Sequence, residues 1–344
     1  MRLGIMSFAH LHAEGYVGNL RDLPGVEVVG FSDTDHERGA RVAELFDVRW
    51  FDRHEDLLAE GLDGVLVCSE NAHRRELVEM AAEAGVHVLC EKPIEVTLAD
   101  ARAMKDVCDR YGVQFMTAFP MRFDASVRAT KGVLERGELG TLYAVNGINH
   151  SEIPTDHRAW FAQKALAGGG AVMDHTVHLT DLLRWYTGSE VAEVYAEVGT
   201  PFYAGEIDVD SAGLVTLTFA NGVFATIDCS WSRPKNYPRW GHLKMELVGE
   251  RGAVSVDAFA QALTAYSGRL PRNPSWLNWG GDPNQAMVEE FAASIRDDRE
   301  PAVAWRDGYE ALRVALACYQ SADTGQPVRL SHLSSAEGSA EGSR

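Results

Sequence analysis

Short apolar runs alternate with amphipathic stretches through the first third of the chain. RLGIM (2–6) predicts a strand, and helical spacing follows from about His12 to Leu23, where Pro24-Gly25 closes it. VEVVGFSD predicts a second strand ending on Asp33, with a helix over HERGARVAELF. GVLVCS (64–69) and VHVLCE (86–91) repeat the strand, while AHRRELVEMAAEAG and TLADARAMKDVCDRYG repeat the helix, stopping at Gly85 and Gly112. VQFMTAF (113–119) adds a last strand. Continuous apolar strands between amphipathic helices mean a parallel sheet covered on both faces. Such sheets bind ligands beyond the carboxyl ends of their strands.

After Phe119 the pattern changes. SVRATKGVLERGELG reads as a helix and turn, and TLYAVNGINHSE alternates as a strand. VAEVYAEVG, SAGLVTLTFANG, VFATIDCSWS, HLKMELVGERG and AVSVDAF predict further strands with short turns, Ala220-Asn221-Gly222 being a hairpin signal. These make an open, mostly antiparallel sheet. An apolar outer face with no spare helix to cover it implies a homo-oligomer packing sheet on sheet. Residues 283–297 and 304–322 read as closing helices. The expected architecture is an α/β dinucleotide-binding domain over 1–120, an α+β substrate and oligomerisation domain over 121–330, and a disordered Gly/Ser-rich tail over 331–344.

Length and composition narrow the class without changing that picture. A chain of 344 residues is long for one domain, and 46% hydrophobic with 24% charged residues is ordinary for a globular protein. No apolar run is long enough to span a membrane, and the chain enters a strand at once, with no signal peptide expected. Cys68, Cys90, Cys108, Cys229 and Cys318 form no C-x-x-C pair, which points to reduced thiols in a cytoplasm. A net charge of −18 argues against nucleic acid and anionic membranes as partners.

Candidate chemistry gathers at three places. Asp33 ends a strand where an acidic side chain can accept both ribose hydroxyls of an adenosine, favouring NAD over NADP; its alternative role is a helix cap. The phosphate turn after the first strand lacks the expected G-x-G-x-x-G and reads Ser7-Phe8-Ala9-His10-Leu11-His12. Glu91-Lys92-Pro93 places Lys92 at the ligand edge of the sheet, where its charge can hold a substrate hydroxyl. Further along, Gly168, Gly169 and Gly170 allow a backbone or ligand to approach closely. They open a helix whose Leu179, Leu182, Leu183 and Tyr186 form an apolar stripe and which stops at Gly188. Asp174 and His178 share one face of it, so the carboxylate can orient the imidazole and raise its basicity. Arg122 and Trp160 are candidate substrate contacts, with His150, His157, Arg158 and Tyr237 behind them. His10 and His12 form a pair, but no third ligand is evident among the twelve histidines, so no metal is expected.

VHVLCEKPIEVT, FPMRF and GGGAVMDHTVHLTDLLRWYTG together resemble the Gfo/Idh/MocA family of NAD(P)-dependent oxidoreductases. GVLERGELGTLYAVNG (132–147) and MVEEFAASIRDDREPAVAWRDGYEALRVALACYQSADTGQPVRL extend the resemblance from residue 2 to residue 330. It implies a Rossmann-like first domain and a homo-oligomer. By resemblance Lys92, Asp174 and His178 fall on the family's catalytic trio. Ser69, Asn71 and His73, with Glu91, fall on the cofactor side. His175 stands where many members have glycine, which implies a distinct substrate pocket. The expected activity is an NAD-dependent dehydrogenase acting on a secondary alcohol of a sugar, inositol or related polyol. One alternative is a sugar lyase or glycosidase that uses NAD transiently. Another is a non-catalytic NAD-binding regulator, against which the intact trio argues. A thermal-shift titration tests the cofactor reading: NAD and NADH are expected to raise the melting temperature more than NADP and NADPH do.

Overall fold

A computed structural model describes residues 1–330 except 261, 268, 270, 271, 273 and 279; the expected tail over 331–344 lies outside the described residues. In chain order the first elements are β1 (Arg2–Met6), α1 (His12–Arg21), β2 (Glu27–Ser32), α2 (His36–Phe46), β3 (Trp50–Phe51), α3 (His54–Leu58), β4 (Gly64–Val67), α4 (Arg74–Glu83), β5 (His87–Cys90), α5 (Leu98–Tyr111) and β6 (Phe115–Thr117). There follow α6 (Ala125–Glu135), β7 (Leu142–Ser151), α7 (Lys164–Ala167), α8 (Ala171–Thr187), β8 (Val191–Gly199), β9 (Ala212–Phe219), β10 (Phe224–Ser230), β11 (Gly241–Gly249) and β12 (Gly252–Asp257). The hairpin strands β13 (Ala262–Ala265) and β14 (Ser275–Asn278), then α9 (Pro283–Arg296), α10 (Trp305–Thr324) and β15 (Val328–Arg329), complete the described chain.

The chain divides into two compact units. The first holds residues 1–123, 154–168 and 281–312; the second holds 124–153, 169–280 and 313–330 of the described chain. The expected division after residue 120 is contiguous, whereas the first unit draws in two later segments. Segment 154–168 is tied to the turn after β1, since Arg158 Nε and Trp160 Nε1 both donate to the Ala9 carbonyl, at 3.0 and 2.9 Å. Phe291 and Ile295 of α9 approach Gly64 of β4, and Trp305 Nε1 donates to the Ala101 carbonyl at 2.8 Å. Such long-range ties leave no periodicity in the sequence.

In the first unit six parallel strands lie in the order β3-β2-β1-β4-β5-β6. The order reverses between β1 and β4, and ligands of such sheets bind outside the strand ends at this reversal. β3 and α3 carry too few residues to register as periodic segments, so the sequence pattern misses them.

In the second unit the sheet runs β12-β11-β7-β10-β9-β8-β15, and every neighbouring pair is antiparallel except β7 with β10. α8 covers one face. Its stripe of Leu179, Leu182, Leu183 and Tyr186 is buried, and a Cβ added to Gly147 of β7 would meet Leu179 at 3.0 Å. The outer face is more polar than expected. Asn146, Thr216, Thr218, Thr226 and Glu246 are exposed there beside Leu214 and Phe224.

α8 starts where the chain has no room for side chains. A Cβ on Gly169 would overlap the Tyr319 hydroxyl, and one on Gly170 would overlap the Asp210 carbonyl oxygen. Gly168, at φ +77°, would press its Cβ onto Val96 at 2.7 Å. The glycine run is therefore filled by protein and not by a ligand. Gly170→Ala is expected to cost about 2–3 kcal/mol through overpacking. Gly18→Ala, in α1 with nothing within 4 Å, should instead stabilise by up to about 1 kcal/mol. Paired denaturant titrations check both signs.

Candidate functional site

In the first unit the candidate residues collect at the carboxyl ends of β1, β2, β4 and β5. Ser7 takes the left-handed conformation, φ 67°, where the fingerprint has its first glycine. Its Oγ accepts from the Ala9 amide at 3.1 Å, and its own amide donates to the Ser32 carbonyl at 2.7 Å. The Phe8 amide donates to Asp33 Oδ2 at 2.8 Å, and the His10 amide to the Cys68 carbonyl at 2.8 Å. Apolar Leu11 precedes α1 and supplies no side-chain cap.

Asp33 is not the helix cap. Asp35 caps α2 by accepting from the Arg38 amide at 3.0 Å. Asp33 is buried and receives Phe8 N, Asp35 N at 2.9 Å, and the Arg38 guanidinium at 2.7 Å on each oxygen. Each carboxylate oxygen thus already has two donors. The sequence pattern did not single out Arg38. Ser7, Thr34, Asp35, Arg38, Ser69 and His73 are among the residues lining a cavity of about 560 Å³.

Asn71 is buried and donates Nδ2 to the Ala167 carbonyl at 2.8 Å, while its Oδ1 receives no hydrogen bond. His73 is exposed, and its Nδ1 lies 3.4 Å from Glu70. Trp160 is buried, stacked on Phe161 with ring centroids 4.0 Å apart, and its N–H is spent on Ala9. Arg158 also reaches Glu14 Oε1 at 2.7 Å. Arg122 is buried against Asp307 at 2.9 Å. Of these, Trp160 and Arg158 brace the turn after β1.

Lys92 is buried and follows Glu91 at the end of β5, with a cis Lys92–Pro93 peptide. The Pro93 carbonyl is held by the guanidinium of Arg74, a fully buried residue that the sequence pattern does not mark. Glu91 Oε1 accepts from the Tyr16 hydroxyl and faces His12 Nδ1 at 3.0 Å; Oε2 accepts from the Lys92 amide at 3.1 Å. Burial opposes ionisation of Glu91, but the His10 and His12 rings, the His12 bond and Lys92 outweigh it and hold the carboxyl well below its usual range. Burial drives His10 well below the usual imidazole range, against the pull of Glu91.

Glu91 is the third potential ligand that the His10–His12 pair lacked in sequence, and donor atoms of the three lie within 4.8 Å of one another. Hydrogen bonds satisfy the cluster only in part, since His10 Nε2 is buried without a hydrogen-bond partner. His10 Nδ1 accepts from the His12 amide at 3.3 Å, so the neutral ring carries its proton on Nε2, 3.9 Å from Glu91 Oε2.

In the second unit Asp210 seats α8. Its Oδ1 accepts from the Gly170 amide at 2.8 Å and the Tyr319 hydroxyl at 2.7 Å, and its Oδ2 from the Val172 amide at 2.7 Å. Burial and the Asp210 charge push the Tyr319 phenol well up, so it remains a donor. One turn into the helix stands Asp174, with His178 one turn further. Trp231, fully buried, donates Nε1 to Asp174 Oδ2 at 3.3 Å, and His175 Nε2 lies 3.1 Å from the same oxygen. His150 lies 2.9 Å from Asp228, Tyr237 packs under Arg233 and against Trp276, and His157 is exposed. Asp210 and Trp231 carry no motif and are found only through the fold.

The fold and these clusters define an oxidoreductase with a Rossmann nucleotide-binding unit. Residues 3–119 match the model of the "Oxidoreductase family, NAD-binding Rossmann fold", and residues 127–255 match the "GFO/IDH/MocA C-terminal domain". The chain belongs to the Gfo/Idh/MocA family. It is 29% identical to D-apiose dehydrogenase of Paraburkholderia graminis over 96% of this chain and 88% of that protein. It is 27% identical to myo-inositol 2-dehydrogenase of Thermotoga maritima over 97% of this chain and 99% of that protein. The solved structure of GenD2 from gentamicin A biosynthesis, in complex with NAD, superposes with a TM-score of 0.86 at 24% identity, covering 96% of each chain.

Glu91 gives the first unit a testable pH signature. Its pKa is depressed in the folded protein, so its stabilisation is present above the unfolded carboxylate range and is lost as pH falls through the folded value. Glu91→Gln should lower the melting temperature at pH 7 and flatten its decline between about pH 5 and 3. Melting curves across that range check it.

Proposed function

We propose that the protein is an NAD-dependent dehydrogenase oxidising a secondary alcohol of a sugar, inositol or related polyol. The observation that carries this reading is Asp174 and His178 one turn apart on a helix whose start is pinned by Asp210. Kinship with proteins named for apiose and myo-inositol supports the substrate class.

The first unit fits a dinucleotide. The left-handed Ser7, the uncapped start of α1, the cavity beside Asp33 and the orphaned buried Asn71 Oδ1 all suit one. Ser7 to His12 would hold the pyrophosphate. Asp33 would hold the adenosine ribose once hydroxyl donors replace part of the Arg38 pairing. Ser69, Asn71 and His73 would serve the nicotinamide side. Asp33 disfavours a 2′-phosphate, so NAD is preferred over NADP. When bound, NAD supplies the hydride acceptor. His178 takes the hydroxyl proton, Asp174 orients the imidazole and stabilises its charged form, and the Lys92 ammonium steadies the developing alkoxide. Glu91 holds the Lys92 backbone through its amide.

A second copy of the chain covers the outer sheet face around Leu214 and Phe224. The five cysteines are buried and unbridged, which suits a reducing cytoplasm. No helix among the described residues is long and apolar enough to cross a membrane.

His178→Ala is expected to lower turnover by about 10²–10⁴-fold while NAD still raises the melting temperature. Turnover retained at the parental level overturns the assignment. Net NADH accumulation with a polyol panel distinguishes this dehydrogenase from an enzyme that oxidises and re-reduces within one cycle.

A further inference from the structure

We infer that His175 is a positioning residue, held doubly protonated, that fixes Asp174 as an anion; this rests on the reading of Asp174 as part of the catalytic set. The partners of the two ring nitrogens determine where hydrogens must sit. His175 Nδ1 lies 2.7 Å from the Asn149 carbonyl oxygen, which can only accept, so Nδ1 carries a hydrogen. The Asn149 side chain returns a bond, Nδ2 to the His175 carbonyl at 3.3 Å, strapping β7 to α8 at this point.

His175 Nε2 faces two oxygens, Ser151 Oγ at 3.1 Å and Asp174 Oδ2 at 3.1 Å. The Ser151 hydroxyl has one hydrogen. At 2.7 Å from the Glu152 carbonyl, that hydrogen must lie between the two oxygens, so Ser151 turns a lone pair to the ring. A bare Nε2 would then face two sets of lone pairs in a buried pocket. A second ring proton satisfies both and makes the contact with Asp174 an ion pair.

The surroundings agree. Trp231 brings a neutral N–H to Asp174 Oδ2 from its own side of the carboxylate. His150 also bears on this ring: burial lowers the His150 pKa, Asp228 opposes that shift, and Arg233 and His175 add to it. The imidazolium and the indole thus converge on one oxygen of Asp174. His175 thereby restrains Asp174 in one rotamer and tempers its charge, and through it the basicity of His178 on the same helix face.

Histidine-selective ¹⁵N spectra of the full-length protein at pH 7 test the protonation without any assay. One ring with hydrogens on both nitrogens should be present and should vanish in His175→Gln. If that variant does not fold, Ser151→Ala, which leaves the ring in place, should move the same resonances. A His175 ring with a single proton at pH 7 overturns the proposal. Where a substrate is in hand, His175→Gln should lower kcat with little change in KM and shift the acid limb of the rate profile up by roughly one unit, because Asp174 loses its counter-charge. An unchanged profile also overturns the proposal. A wild-type protein inactive on all polyols would fail the proposed function alone, since the spectra decide the ring's protons independently.

Discussion

The carboxylate of Asp210 holds the start of α8, and the chemistry proposed for the second unit depends on that contact. A helix entered through glycines has no steric preference for its first turn. Here two carboxylate oxygens take the Gly170 and Val172 amides, and Tyr319 locks the carboxylate from the side of α10. A charge-assisted cap of this kind stabilises by about 1–2 kcal/mol and also fixes the rotation of the helix about its axis. Asp174 and His178 inherit that rotation. The glycines are required because Asp210 and Tyr319 occupy the space their side chains would need.

The phosphate turn of the first unit shows how a fingerprint can be lost while the turn is kept. Left-handed serine costs roughly 1–2 kcal/mol relative to glycine. Ser7 Oγ, Asp33 and the Cys68 carbonyl take the next amides in turn, while Arg158 and Trp160 satisfy the Ala9 carbonyl. Side chains thus impose the conformation that glycine elsewhere merely permits. Asp33 serves this turn, and each of its oxygens already takes two donors. His12, where a third glycine would pack, is accommodated because its Nδ1 faces Glu91 and its ring packs edge-on against Tyr16.

Much of this was legible in the sequence because it rests on local periodicity. The strands that enter β1, β2, β4, β5 and β6, the helices α1, α2, α4 and α5, and α8 with its apolar stripe follow from spacing alone. The Glu91-Lys92-Pro93 stretch at a strand end and the Asp174–His178 pair were readable for the same reason. What escaped is non-local. Segment 154–168 joins the first unit through side-chain bonds to carbonyls, and Trp160 and Arg158 brace the turn by donating to Ala9. The ties of Asn71 to Ala167 and of Arg122 to Asp307 are also non-local, and Asp210 matters through Gly170, Val172 and Tyr319. An apolar outer sheet face is expected from the strand pattern, but Thr216, Thr218 and Thr226 share that face with Leu214 and Phe224, because side chains alternate along each strand.

The two units use one electrostatic device twice. In each, a buried or nearly buried carboxylate stands beside the residue proposed to react: Glu91 next to Lys92, and Asp174 one turn from His178. An isolated buried carboxylate would take up a proton instead of staying charged. Glu91 meets the Tyr16 hydroxyl, His12 and a main-chain amide, and Asp174 meets Trp231 and His175. In the first cluster the His10 and His12 rings and Lys92 offset the burial, while in the second the proposal adds an imidazolium. That difference fits the two roles. Glu91 holds a backbone in place through the Lys92 amide, whereas the role proposed for Asp174 requires it to stay anionic beside an imidazole that gains a proton, and the positive charge proposed for His175 would keep that proton from passing on to the carboxylate.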